Sequence, residues 1–181
     1  MIAISKIFIL VGASGSGKST LGKSLNIPRI ITHTTRKKRL GEKDGKHYHF
    51  VSKKEFKQLD FVEYTKYNGN LYGAAKTEIE DKLDKYNKVY TVMDSLGVKN
   101  LRRLYPNKVV VIYINAKKKE SIQRMIDRGD DEFVIAERVS NANKKGEFNN
   151  YDIADYVVNN FDGMLDKSKK LINYIVNKLE G

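Results

Sequence analysis

The chain has 181 residues, no cysteine and a formal net charge of +12 at pH 7. That length suits one compact domain with a sizeable core, and the lack of cysteine excludes disulfides, thiolate metal sites and thiol catalysis and fits the cytoplasm. No stretch is long and apolar enough to span a membrane. The lysines are interleaved with acids, as in Lys53-Lys54-Glu55 and Lys76-Thr77-Glu78. The basic balance therefore points to anionic ligands more than to nucleic acid, which is not an expected partner.

Ile7-Phe8-Ile9-Leu10-Val11 is a continuous apolar run, the pattern of a strand buried on both faces. It leads directly into Gly12-Ala13-Ser14-Gly15-Ser16-Gly17-Lys18-Ser19-Thr20, so it reads as a core strand and not as a signal peptide. That second stretch fits the phosphate-loop pattern of Gly, four residues, then Gly-Lys-Ser/Thr. Ser19 to Leu25 continues as a helix, kept short by Pro28. Strand, glycine turn and helix together predict a triphosphate site. Backbone N–H groups curl around phosphate oxygens, Lys18 reaches the β- and γ-phosphates, and the Ser19 hydroxyl sits on Mg²⁺.

Further on, Ile30-Ile31-Thr32 reads as a strand entering a polar, basic loop from His33 to Glu42. Tyr48-His49-Phe50-Val51 reads as another strand. Ser52 and Glu55 have capping-box spacing, which starts a helix with Phe56 and Leu59 inward. Phe61 to Tyr67 and Leu71 to Gly73 flank Asn68-Gly69, a strong hairpin signal. A helix follows from Ala75 to Tyr86. Val89 to Asp94 is a core strand ending on an acid, where open α/β sheets present ligands. A helix over Ser95–Leu104, a strand over Val109–Ile114 and a helix over Lys117–Asp127 come next. The charged loop Arg128–Glu132 leads into a helix through Arg138. Tyr156–Asn159 is a last strand. Met164, Leu165, Leu171, Ile172, Ile175, Val176 and Leu179 mark the core face of a final helix. Alternating strands and helices predict an α/β fold with a mainly parallel sheet.

A phosphate loop identifies a donor and leaves the acceptor open. Arg36 and Arg39, in a glycine-containing loop, suit a phosphate clamp, because guanidinium groups grip phosphate oxygens in a fork. Tyr48 and Tyr72 have phenolic donors for the same phosphate. Arg124, Arg128 and Arg138 flank the charged loop and suit stabilisation of a transferring phosphoryl group. His33, His47 and His49 show no metal spacing and read as structural or surface residues.

With these motifs in this order, the whole chain resembles a guanylate kinase. The resemblance rests on the phosphate loop, Thr32-His33-Thr34-Thr35-Arg36, Arg39, Gly41-Glu42, Asp44-Gly45 and Tyr48-His49-Phe50-Val51-Ser52. It continues through Phe61-Val62-Glu63-Tyr64, Gly69-Asn70-Leu71-Tyr72-Gly73, Asp94 with Gly97, Arg124, Arg128-Gly129, Arg138 and Val157-Val158-Asn159. It implies a nucleoside monophosphate kinase fold forming a single domain over 1–181, with three parts. These are a core (1–31, 88–126 and 141–181), a small mixed monophosphate-binding lobe (32–87) and a helical lid (127–140). The implied reaction is ATP- and Mg²⁺-dependent phosphorylation of GMP or dGMP by direct in-line transfer, in a monomer or homodimer.

Residue by residue, the resemblance implies that Arg36, Arg39, Tyr48 and Tyr72 hold the acceptor's phosphate, with Glu42 orienting the arginine loop. Glu63 pairs with guanine N1–H and N2–H, two adjacent donors against two carboxylate acceptors, and Thr32 lies near the base. Asp94 lies near the phosphates and Mg²⁺, the latter partly through water. Arg124, Arg128 and Arg138 engage the donor phosphates, and Asn159 the adenine edge. Three positions depart from the family: Ala74 replaces a hydroxyl residue, Val92 an acid and Leu96 a glutamine. The segment between Thr20 and Thr32 and the lid between Arg128 and Arg138 are also short. These departures keep open another nucleoside monophosphate, or a phosphorylated sugar, as acceptor. A non-catalytic module of the same family that binds phosphorylated peptides is the other alternative, against which the intact Gly17-Lys18-Ser19 stands.

Overall fold

A computed structural model describes residues 5–38, 40–67, 69–149 and 151–179. Its core is a four-stranded parallel sheet in the order β6-β1-β7-β8, made by Lys88–Val92, Lys6–Val11, Val109–Asn115 and Tyr156–Asn159. Strand β1 is central, and alternate residues serve opposite faces. Ile7, Ile9 and Val11 join Val111, Val98, Leu101 and Ile79 on one side. Phe8 and Leu10 join Ile112, Ile114, Leu21, Ile172 and Val176 on the other. Helices cover both faces, as an all-parallel sheet requires. The flanking helices are α1 (Lys18–Lys23), α4 (Ser95–Leu104), α5 (Lys118–Asp127), α6 (Glu132–Lys144) and α7 (Leu165–Lys178).

A second sheet is built between β1 and β6 in the order β3-β2-β5-β4, from His49–Phe50, His33–Thr34, Asn70–Ala75 and Phe61–Tyr67. It is mixed: β2 runs parallel to β3 and antiparallel to β5, and β4–β5 is a hairpin. Gly69 turns that hairpin at φ 74°; Asn68 lies outside the described residues. Helices α2 (Lys53–Gln58) and α3 (Lys76–Lys85) complete this region. Ser52 and Glu55 form the expected capping box, and Phe56 is buried while Leu59 is only half-buried.

Three expectations are corrected. Ile30-Ile31-Thr32 is not a strand. Ile30 donates to the Tyr90 carbonyl and Arg29 bridges Tyr90, then the chain leaves the core sheet for β2. The run is apolar because Ile30 and Ile31 plug the junction between the sheets, both being buried. The strand expected over Tyr48–Val51 shrinks to His49–Phe50 because β2 offers only two residues to pair with. In α7, Ile172, Ile175 and Val176 form the buried stripe, whereas Leu165 and Leu171 are 38% and 43% exposed.

Candidate active site

The carboxyl ends of the core strands converge, and the loops there carry the candidate residues, as open α/β sheets place them. Gly12 follows β1, Asp94 lies two residues beyond β6, and Asn159 ends β8. Gly17 caps α1 in the left-handed region at φ 99°, where the Asn160 carboxamide fills the space a side chain would need. Asn160 Nδ2 donates to the Ser16 carbonyl at 2.8 Å, fully buried, and so braces the loop from behind.

Lys18 folds back over the loop, donating to the carbonyls of Gly12 at 2.6 Å and Ala13 at 2.7 Å. Burial pushes its ammonium down to about 8; Glu147 opposes this, and Arg128 and Arg138 add to it. A polyanion arriving beside it would reverse that balance.

Two hollows meet at this lysine. The first, a cavity of about 690 Å³, is lined by Ser14, Gly15, Gly17, Lys18, Ser19, Thr20, Arg124, Arg128 and Arg138. Every charged side chain in that lining is a cation. Asp130 accepts from Arg138 Nη1 at 2.7 Å and also binds Arg128, so one carboxylate gathers both guanidinium groups. Arg124 donates to the Asn160 carbonyl at 2.9 Å and to Asp162 at 2.8 Å, tying the loop after β8 to α5. The Ser19 hydroxyl is exposed in the first turn of α1. It fits Mg²⁺ as one protein oxygen ligand among phosphates and water, the usual environment of that ion. Among the described residues, no group of three or more His, Asp or Glu side chains is arranged to hold a metal.

The second hollow, a cleft of about 450 Å³, is lined by Gly12, Ser14, Lys18, Thr32, Glu63, Tyr72, Ala74, Val92, Asp94, Lys145 and Glu147, among others. Glu63 on β4 faces Ala74 on β5 across the hairpin. Its carboxylate packs where a Cβ on residue 97 would be, which accounts for Gly97 there. Burial, then the neighbouring Asp94 carboxylate, pushes Glu63 up to about 7. Asp94 caps α4, accepting from Leu96 N at 3.1 Å and Gly97 N at 3.2 Å, and its other oxygen accepts from Lys145 Nζ at 3.0 Å. Burial acts to raise the Asp94 carboxyl, but Lys145 and the two amides outweigh it and hold it below the usual range.

At the rim, Arg36 donates to Glu42 at 2.6 Å and lies over the Tyr48 ring, whose edge meets Tyr72, itself in the cleft. Arg36, Glu42, Tyr48 and Tyr72 are thus one cluster. Arg39 lies outside the described residues. Asn159 Oδ1 accepts from Asn115 Nδ2 at 2.7 Å, and Asn160 lines a further hollow with Thr20, Phe161 and Leu165. Ala13 and Ser16 are buried behind the loop. Sequence reasoning missed Asn160, Asp130, Lys145 and Glu147. Asp130, in the charged loop two residues after Arg128, carried a usable signal; the others carried none.

Comparison with known proteins agrees with this geometry. The guanylate kinase family model matches residues 4–178. The guanylate kinase of Buchnera aphidicola subsp. Schizaphis graminum is 38% identical over 168 residues, covering 86% of this chain and 80% of that one. That of Vibrio vulnificus strain YJ016 is 36% identical over 180 residues, covering 92% and 86%. The crystal structure of guanylate kinase from Anaplasma phagocytophilum shares the fold, with TM-score 0.69 and 24% identity over 97% of this chain and 86% of that one. A phosphate loop opening onto two joined hollows, in a chain matched from end to end, has one family reading: this protein belongs to the guanylate kinases, enzymes of the nucleoside monophosphate kinase class.

Proposed function

We propose that the chain transfers the γ-phosphoryl group of ATP to a phosphate oxygen of GMP or dGMP, giving ADP and the nucleoside diphosphate. One observation carries this reading. The cationic donor cavity and the acid-lined acceptor cleft share Ser14 and Lys18, so two phosphate groups would meet at one lysine. The acceptor oxygen is largely ionised at neutral pH, its second pKa being about 6, and no general base is required. Catalysis is then alignment and charge compensation.

In this reading Gly12 to Thr20 cradle the donor phosphates. Lys18 leaves the Gly12 and Ala13 carbonyls for the β- and γ-oxygens, and Arg124, Arg128 and Arg138 offset the developing charge. Ser19, with Asp94 through water, would hold Mg²⁺, which would supply compensation for part of the phosphate charge. Arg36 and Arg39, with Tyr48 and Tyr72, grip the acceptor phosphate, and Glu42 aims Arg36. Glu63 reads guanine N1–H and N2–H, with Thr32 beside the base. Asn159 is the candidate for the adenine edge, with Asn160 beside it. Residues 32–87 act as the acceptor lobe, and 127–140, with the rest of α6, as a lid whose closure excludes water. The setting is cytoplasmic, the chain works as a monomer or homodimer, and nucleic acid has no role.

The test is product identification by mass spectrometry after incubation with Mg–ATP and GMP. GDP and ADP should form in equal amounts, and Lys18→Ala should lower the rate by about a hundredfold or more, the usual cost of losing a donor aimed at transition-state charge. ADP with no GDP would contradict the reading.

A further inference from the structure

Lys145 is the C-terminal cap of α6 and reaches into the acceptor cleft, although the same helix supplies Arg138 to the donor cavity. Seven residues separate the two, about two helical turns, so both project from one face roughly 10 Å apart. One rigid helix therefore touches both hollows. Its acceptor-side contact is the 3.0 Å bond from Lys145 Nζ to Asp94 Oδ2. The other Asp94 oxygen is fixed by the first turn of α4. Asp94 is thus anchored on α4, and Lys145 is the tether that joins α6 to it.

With the cleft empty, the Lys145 and Asp94 side chains are 52% and 35% exposed, and water screens their attraction. A purine nucleotide in the cleft displaces that water, and the same charges at the same separation then attract several times more strongly. Acceptor binding would thereby tighten the hold on α6 and keep Arg138 at the donor phosphates. Coupling of this kind is reciprocal, so a bound donor must tighten the acceptor by the same factor.

We propose that Lys145 is a positioning residue that couples the two substrate sites, tying the lid helix to Asp94 so that filling one site favours filling the other. This rests on the reading of the cleft as the GMP site. Glu147, two residues on and lining the same cleft, feels the charge of both Lys145 and Lys18 and so adds an acid to the cationic side of the cleft.

The test is calorimetric titration of the whole chain with GMP, with and without saturating Mg²⁺ and a non-hydrolysable ATP analogue. In the unaltered protein the analogue should tighten GMP about tenfold, within the usual range of coupling between sites. In Lys145→Met the two affinities should agree within about twofold, and Lys145→Arg should restore most of the tightening, since it keeps the charge and reach. In turnover, Lys145→Met should raise KM for GMP about tenfold while kcat falls less than about threefold, a split that general loss of structure would not produce. Full tightening retained in Lys145→Met, or no tightening in the unaltered protein, would overturn the proposal. If GMP is still phosphorylated in that case, the coupling alone is wrong; if GMP neither binds nor reacts, the functional reading falls with it.

Discussion

Glu42 Oε1 accepts from Arg36 Nη2 at 2.6 Å, in a pair only 18% and 13% exposed. The hydrogen bond to Glu42 pushes the already charged guanidinium further up and fixes where it points, over Tyr48, whose ring packs on Tyr72. Glu42→Gln keeps the shape and removes the charge. It should raise KM for GMP about tenfold, equivalent to about 1.4 kcal/mol, with a smaller change in kcat. Steady-state kinetics at saturating ATP reads both.

Glu63 sets a pH dependence. Burial and Asp94 lift its carboxyl to about 7 in the empty cleft. Guanine N1–H and N2–H need the ionised acceptor, so the competent form is complete above that value and is lost as pH falls through it. About nine-tenths is protonated one unit below. GMP affinity should therefore drop about tenfold from pH 8 to pH 6 by titration calorimetry. The acceptor phosphate also titrates near pH 6, so the comparison is with Glu63→Gln, which should bind GMP weakly and lose the part of the slope owed to the carboxyl.

Asn160 braces the phosphate loop through a buried bond to the Ser16 carbonyl. Asn160→Ala leaves that carbonyl unpaired, a loss of about 1–3 kcal/mol. The melting temperature should fall by about 3–8 °C for a chain of this size, and Mg–ATP should bind more weakly while GMP binding alone changes little. Differential scanning fluorimetry and ligand titration check the two halves separately.

Ala74 is buried at 4% exposure, lines the acceptor cleft and faces Glu63 across the hairpin. It offers the base no hydroxyl. Ala74→Ser should lower KM for GMP about threefold to tenfold, the worth of one hydrogen bond of roughly 0.5–1.5 kcal/mol, and leave KM for ATP unchanged in the same assay.

Much of this site was legible because it is written in backbone constraints. The glycines at 12, 15 and 17 all adopt positive φ, and the apolar β1 before them is buried along its length. A strand, turn and helix of that composition has few other uses. The hairpin and the Ser52 cap were legible for the same local reason. Lys145, Glu147 and Asn160 were not. Each is a polar residue in a polar stretch, and its role comes from a partner 51, 129 and 144 positions away, at Asp94, Lys18 and Ser16. Ile30 to Thr32 misled because an apolar run marks burial, and a plug between two sheets buries side chains as well as a strand does.

The most direct test is ADP release with Mg–ATP and each of GMP, dGMP, AMP, CMP, UMP and IMP at equal concentration. Release should be rapid with GMP and dGMP, and kcat/KM for AMP at least about a hundredfold lower, because adenine presents no adjacent pair of donors to Glu63 and leaves the half-buried carboxylate unpaired. Turnover of AMP matching or exceeding that of GMP, or no turnover with any of the six, would contradict this expectation.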